Sequence, residues 1–244
     1  SMVKQLWFRG LNVTAPFKAE VMKYMDTISP EAITIGAVNT VVNELGKLTG
    51  YNTDYIGVVQ SFIDNGVDPQ HKRTLIIGAG GAGRAAVYGL KQAEAQLHII
   101  DINETLAQKV ADEFAGRYCP FETLENETRK ADIIVLAVDS TIEVLKEDWI
   151  NASQVIYDVN YKPSYLTDIA TRKQCKLITG GDMLINQAIP GYAHYFEEEA
   201  DKTAMKEGFK HSFSSKQKKT FALIGFMATG KTSVGKLLAK KLNY

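Results

Sequence analysis

The sequence is short of cysteine, of net charge and of long apolar runs, and each shortage excludes something. Cys119 and Cys175 are its only cysteines, too few and too far apart for a disulfide framework or a metal knuckle. They read as core filler in a protein of a reducing cytoplasm. Lys plus Arg and Asp plus Glu both total 28, so the formal net charge is zero, which argues against duplex DNA or an anionic membrane surface as a partner. Apolar stretches last four to eight residues before Gly, Asp or Lys breaks them, too short to span a bilayer or to serve as a secretory core. No internal repeat and no extended low-complexity tract is found. Ser1 ahead of Met2 reads as a residue left by tag removal. What remains is 244 residues, 45% hydrophobic and 23% charged: an ordinary globular composition with length for one large or two modest domains.

Along the chain, Leu11 to Thr14 reads as a short strand and Ala19 to Asp26 as a short helix, with Val21, Met22 and Met25 on one face. A hairpin follows, Ala37 to Val42 and Lys47 to Tyr51 around the turn residues 43–46. The rhythm changes near Lys72. Thr74 to Ile77 is an unbroken apolar run of the kind a buried parallel strand shows, and it feeds a glycine cluster and an alanine-rich helix from Gly83 to Glu94. Gln96 to Ile100, Ala131 to Val138, Gln154 to Val159 and Lys176 to Thr179 repeat the pattern, with helical stretches such as Leu106 to Phe114 between some of them. Strands alternating with helices imply an α/β fold: a Rossmann-type doubly wound parallel sheet, beside a smaller, incomplete α/β substrate domain. The expected divisions are 1–57 for the partial substrate domain, 58–185 for the dinucleotide domain, 186–208 for a helix packing back on the substrate domain and 209–220 for a linker.

Gly78-Ala79-Gly80-Gly81-Ala82-Gly83 fits G-x-G-x-x-G between an expected strand and an expected helix. In that setting Gly78 permits the tight turn, Gly80 lets backbone approach a pyrophosphate, Gly81 lies within the same loop, and Gly83 permits close packing of helix on strand. The helix N-terminus offers N–H groups to the phosphates. Asp101, at the end of the next strand, is placed to accept from an adenosine ribose and to repel a 2′-phosphate, which favours NAD over NADP; the alternative is that it only starts the next turn and caps a helix.

Four further fragments, 12–18 (Asn-Val-Thr-Ala-Pro-Phe-Lys), 36–40 (Gly-Ala-Val-Asn-Thr), 51–54 (Tyr-Asn-Thr-Asp) and 181–187 (Gly-Asp-Met-Leu-Ile-Asn-Gln), stand in order around the glycine loop. Together the five motifs closely resemble the shikimate/quinate dehydrogenase family, over about residues 9 to 200. The resemblance implies NAD(P)-dependent reduction of 3-dehydroshikimate to shikimate, or the quinate pair, in aromatic amino acid and chorismate biosynthesis. Reducing a ketone with a nicotinamide needs a proton donor at the developing alkoxide, and a lysine held by an aspartate can serve. The family's pattern puts those roles on Lys18 and Asp54. It makes Thr14, Asn39 and Gln187 substrate contacts, and places Tyr161, which precedes Pro163, near the nicotinamide, with Gly181 on the cofactor side. Against that pattern, family members begin with a βα unit carrying a Ser-x-Ser pair that grips the substrate carboxylate, and the sequence given starts after it. In addition, 136–141 (Leu-Ala-Val-Asp-Ser-Thr) replaces an Asn-Ala-Thr motif, and Asp101-Ile102-Asn103 replaces an NADP-type Asn-Arg-Thr. A non-catalytic or regulatory nucleotide-binding module is the competing reading.

Near the end, 225–232 reads G-x-x-x-x-G-K-T, with Gly225, Gly230, Lys231 and Thr232 at phosphate-loop spacing. Its surroundings resemble the start of shikimate kinase, so residues 221–244 are expected to be a vestigial fragment of a P-loop kinase domain, or a piece of a bifunctional dehydrogenase and kinase. No metal is expected. The expected partner is a small-molecule substrate, without nucleic acid or membrane, and a homodimer is left open.

Overall fold

A computed structural model describes residues 8–139, 141–162 and 164–214. The order of elements is β1 (Gly10–Asn12), a 3-10 helix (Glu20–Tyr24), β2 (Thr27–Ile28), α1 (Pro30–Ile35), β3 (Thr40–Glu44), β4 (Lys47–Tyr51), α2 (Asp54–Asp64), β5 (Arg73–Ile77), α3 (Gly81–Gln92), β6 (Gln96–Ile100), α4 (Glu104–Phe114), β7 (Arg117–Tyr118), α5 (Leu124–Lys130), β8 (Ile133–Leu136), β9 (Val155–Asp158), α6 (Tyr165–Lys173), β10 (Lys176–Thr179), α7 (Gly180–Phe196) and α8 (Lys202–Ser214). No described helix is long and apolar enough to cross a membrane.

Two sheets organise the described residues up to 206. The larger has six strands, all parallel, in the order β10-β9-β8-β5-β6-β7. Its order reverses between β5 and β8, and the crevice outside the carboxyl ends of those two strands is where open α/β sheets bind ligands. Alternation along the strands divides the core in two: Ile76, Ile99 and Val135 pack under α2, α3 and α4, whereas Leu75, Ile77, Ile134 and Leu136 pack under α5 and α6. Burial on both faces explains why these strands read as continuous apolar runs.

The smaller sheet, order β1-β3-β4-β2, is antiparallel except for the β2/β4 pair. Its hairpin turns at Leu45 and Gly46, both at positive φ. Val38, Val41, Leu48 and Ala32 form its core.

Several expectations change. The segment 19–26 forms only the five-residue 3-10 helix Glu20–Tyr24, with no buried residue and no side-chain cap. Beyond it lies a helix the hydrophobic pattern did not reveal: α1, capped by the Ser29 hydroxyl, which accepts from Ala32 N at 3.3 Å, and closed by Gly36 in the left-handed region. The divisions expected at 57/58 and 185/186 fall inside α2 and α7, which pack on one another and run from one sheet to the other. Their backbones approach so closely that a Cβ on Gly57 would lie 2.8 Å from Met183 O. The second half of α7 lies on the small sheet, where the Tyr195 hydroxyl donates to Asn12 at 2.6 Å and the His194 and Tyr51 rings stack at 3.9 Å. The linker expected over 209–220 is helical as far as Ser214, within α8; its remainder lies outside the described residues.

Candidate active site

Each functional side chain is set by a short piece of regular structure. Lys18 stands on the turn after β1, and its carbonyl accepts from Val38 N at 2.8 Å, so the lysine is tied to the approach to β3. Asp54 opens α2. Its backbone N–H donates to Asn52 Oδ1 at 3.0 Å, and the Asn52 amide donates to Ala37 O at 2.9 Å, which pins this helix start against the same approach. The result is an ion pair: Lys18 Nζ lies 2.7 Å from Asp54 Oδ2, with side chains 19% and 5% exposed.

The other carboxylate oxygen is held as well. Asn39 Nδ2 donates to Asp54 Oδ1 and to Thr53 Oγ1, each at 2.9 Å, and to Gln187 Oε1 at 3.2 Å. Asn39 Oδ1 accepts from Thr53 N at 2.8 Å. Lys18, Asn39, Asp54 and Gln187, distant in sequence, therefore meet in one hydrogen-bonded cluster. Thr53 belongs to it and was not singled out from sequence: its hydroxyl donates to Gln187 Oε1 at 3.2 Å instead of capping α2. Its signal was its place directly before Asp54. Thr14 is exposed on the turn leading to Lys18, where its carbonyl accepts from Phe17 N at 3.0 Å, so it borders the cluster without joining it.

The glycine loop lies at the carboxyl end of β5. Gly78 has φ +104°, and a Cβ there would lie 2.7 Å from Ala137 O, just after β8. A Cβ on Gly83 would sit 1.9 Å from Gly78 O, so α3 can leave the strand this tightly only with glycine at that position. Around Gly80 and Gly81 a Cβ would meet nothing within 4 Å. Those two glycines are not required by the protein's own packing, and they front the open space at the N-terminus of α3, where an anion is favoured. A dinucleotide pyrophosphate fits this cradle.

Asp101 follows β6 and shapes the loop, its Oδ2 accepting from Ala79 N at 2.6 Å and its Oδ1 from Asn103 N at 2.8 Å. Next to it Ile102 is 84% exposed. Tyr161 is exposed beyond the end of β9, on the same rim. Gly181 is buried in the first turn of α7, whose continuation carries Gln187. Gly225, Gly230, Lys231 and Thr232 lie outside the described residues.

Two other titratable groups lie near the site. Burial pushes the Tyr157 phenol up, and the Asp182, Asp54 and Asp158 carboxylates add to the effect, so it stays neutral. His194 is pushed down by burial. Farther away, His98, Cys119 and Glu127 bring ligand-type atoms within 4.8 Å of one another, and among the described residues they are the one such cluster. Arg73, at the start of β5, already pairs with the Glu127 carboxylate, which also faces His98 Nδ1 at 3.3 Å. Burial raises the Cys119 thiol to about 11. This is an internal ion-pair network, placed below the glycine loop.

A family model described as the shikimate dehydrogenase substrate binding domain matches residues 1–41, and one described as shikimate / quinate 5-dehydrogenase matches residues 62–176. The shikimate dehydrogenase (NADP(+)) of Moorella thermoacetica is 35% identical over 220 residues, which cover 83% of this chain and 75% of that protein. Its counterpart in Alkaliphilus oremlandii is 38% identical over 205 residues, 76% and 72% of the two chains. Among solved structures, the shikimate 5-dehydrogenase of Thermus thermophilus in complex with NADP(H) and shikimate superposes with a TM-score of 0.79 at 30% identity, covering 86% of this chain and 81% of the other. The quinate dehydrogenase of Corynebacterium glutamicum in complex with NAD gives 0.80 at 28% identity, with 86% and 80% covered.

Proposed function

The chain belongs to the shikimate dehydrogenase family and is an oxidoreductase, and from that premise we propose that Lys18 and Asp54 are the proton-handling pair for interconversion of 3-dehydroshikimate and shikimate. The observation that carries this reading is the 2.7 Å contact of the ammonium with a carboxylate whose second oxygen is held by Asn39. A nicotinamide dinucleotide supplies the hydride when bound. Asp54, kept in place by Asn39, orients the Lys18 ammonium; Lys18 donates a proton to the ketone oxygen as it becomes an alcohol, and takes it back in the reverse direction. Asn39, Thr53 and Gln187 bind and orient the ring hydroxyls, exchanging hydrogen bonds among themselves for bonds to substrate. A site of this kind rejects analogues that lack those hydroxyls, because its own polar groups would be left unpaired. Thr14 and Tyr161 flank the substrate and nicotinamide ends, and Gly78, Gly80, Gly81, Gly83 and Gly181 shape the dinucleotide's bed.

For the cofactor we propose a preference for NAD. The Asp101 carboxylate stands at the end of β6 and repels a 2′-phosphate, and the neighbouring Ile102 supplies no cation to offset it. Relatives of this chain use either dinucleotide: the named shikimate dehydrogenases carry NADP(+), and the quinate dehydrogenase is in complex with NAD. Initial rates of the purified protein with shikimate and with quinate, each with NAD and NADP, test the whole reading. Turnover of shikimate with NAD above NADP is expected, and no turnover in any of the four combinations overturns it.

The loop 225–232 is a separate proposal: its Gly-x-x-x-x-Gly-Lys-Thr spacing suits a phosphate. As a vestigial loop it is expected to support no phosphoryl transfer from ATP to shikimate, and ATP turnover abolished by Lys231→Ala would overturn that.

A further inference from the structure

Arg84 lies one turn into α3, its backbone N–H donating to Gly80 O at 2.8 Å. Its side chain is only 16% exposed, and all three guanidinium nitrogens are engaged. Nη2 donates to Thr34 O at 3.1 Å and Nε to Ile35 O, while Nη1 meets Glu113 Oε2 at 2.6 Å. The group also lies over the Phe114 ring, 5.4 Å from its centroid.

Thr34 and Ile35 are the last two residues of α1, in the small-sheet half of the protein. Terminal helix carbonyls lack partners within their helix and carry partial negative charge, and a planar guanidinium fork suits two of them at once. One side chain thus joins the helix whose N-terminus offers the pyrophosphate site to the segment that leads, through Gly36, to Asn39. Asn39 in turn holds Asp54. The cofactor end and the proton-donor end are linked in few steps: α3, Arg84, the end of α1, Asn39, and the Lys18–Asp54 pair.

Hydride transfer is steep in distance, since reacting atoms must come within about 3–3.5 Å and a misplacement of about 1 Å costs on the order of a hundredfold in rate. We infer that Arg84 is a positioning residue that sets the separation of nicotinamide and substrate carbonyl by clamping α3 to the carboxyl end of α1. This inference rests on the dehydrogenase reading for its kinetic consequence and not for its structural one.

Both consequences are measured in one set of proteins. Spin labels on Leu45→Cys, in the hairpin turn, and Gln108→Cys, on α4, report the separation of the two halves; the positions are exposed, and the native Cys119 and Cys175 are buried. With Arg84 present, one narrow distance distribution is expected; Arg84→Gln broadens it. Without labels, Arg84→Gln lowers kcat at least about tenfold, keeps both KM values within about threefold, and enlarges the deuterium isotope effect on the transferred hydride. Arg84→Lys recovers part of both effects, and answers the question should Arg84→Gln fail to fold. Glu113→Gln keeps the two carbonyl bonds and leaves kcat within about twofold, which separates positioning from a general contribution to stability. An unchanged distance distribution, or kcat within about twofold of the parent for the Arg84 variants, overturns the inference. Should the parent itself turn over no shikimate, the functional reading fails, while the distance distribution still decides whether Arg84 is the clamp.

Discussion

Lys18 Nζ and Asp54 Oδ2 lie 2.7 Å apart although 36 positions separate the two residues in the chain. With the Asp54 side chain 5% exposed, the carboxylate depends on this ammonium and on the Asn39 amide for its solvation. In the proposed mechanism the two residues act as one unit. Asp54→Asn is expected to lower kcat by about two to four orders of magnitude, the range a positioned general acid supplies. The double variant Lys18→Ala/Asp54→Asn is expected to be no slower than the slower single variant, because groups acting as a unit are not additive. Multiplicative losses in steady-state kcat would separate them into independent roles.

The loop glycines predict a contrast. Gly83→Ala places a Cβ 1.9 Å from Gly78 O and forces α3 off its strand, so the thermal midpoint is expected to fall steeply. Gly80→Ala meets no protein atom within 4 Å, so its midpoint stays near that of the parent while dinucleotide affinity drops at least about tenfold. Calorimetric melting beside a fluorescence titration checks both. Undiminished affinity in Gly80→Ala would remove the pyrophosphate from that position.

Cofactor choice is expected to turn on Asp101. Asp101→Ser removes the charge and keeps an acceptor for Ala79 N, the bond now made at 2.6 Å. The ratio of kcat/KM for NADP to that for NAD should rise at least about tenfold, or about 1.4 kcal/mol. A ratio that does not move would locate cofactor discrimination elsewhere.

His98 predicts a pH dependence of stability. Burial pushes its pKa below 6.5, with the Arg73 and Arg117 guanidinium groups adding to the shift and Glu127 opposing it. Between the folded and unfolded values the unfolded chain holds the proton and the folded chain does not, so stability is lost as pH falls below 6.5. Glu127 is also shifted down: burial acts upward, and the Arg73 pair outweighs it, so its own contribution fades only below 4.5. Thermal midpoints from about pH 7 down to about pH 5.5 should decline in the parent and decline less in His98→Asn. Parallel curves would rule out the imidazole as the cause.

The large sheet and its glycine loop were legible in the sequence because both express hard constraints. Buried parallel strands must be continuously apolar, as Thr74 to Ile77 is, and a Gly83 Cβ has no room. Lys18 was not legible by itself. A lysine two residues after a proline looks like a solvated surface group, and only the motif order around it, followed by the fold that brings Asp54 to it, gives it chemistry. The short α1 escaped although Ser29-Pro30 is a proper helix start, since six residues carry too few apolar repeats to register. Thr53 went unmarked because a threonine ahead of a helix start has no signature of its own until the fold brings Asn39 and Gln187 to it. Arg84 left no trace because two of its partners are backbone carbonyls, which have no sequence signature.

The most direct test of the account is shikimate oxidation by Lys18→Ala at saturating dinucleotide, with nucleotide binding titrated on the same sample. The account predicts turnover reduced by at least about a hundredfold while dinucleotide affinity stays within about threefold of the parent. Parent-like turnover in Lys18→Ala would contradict it.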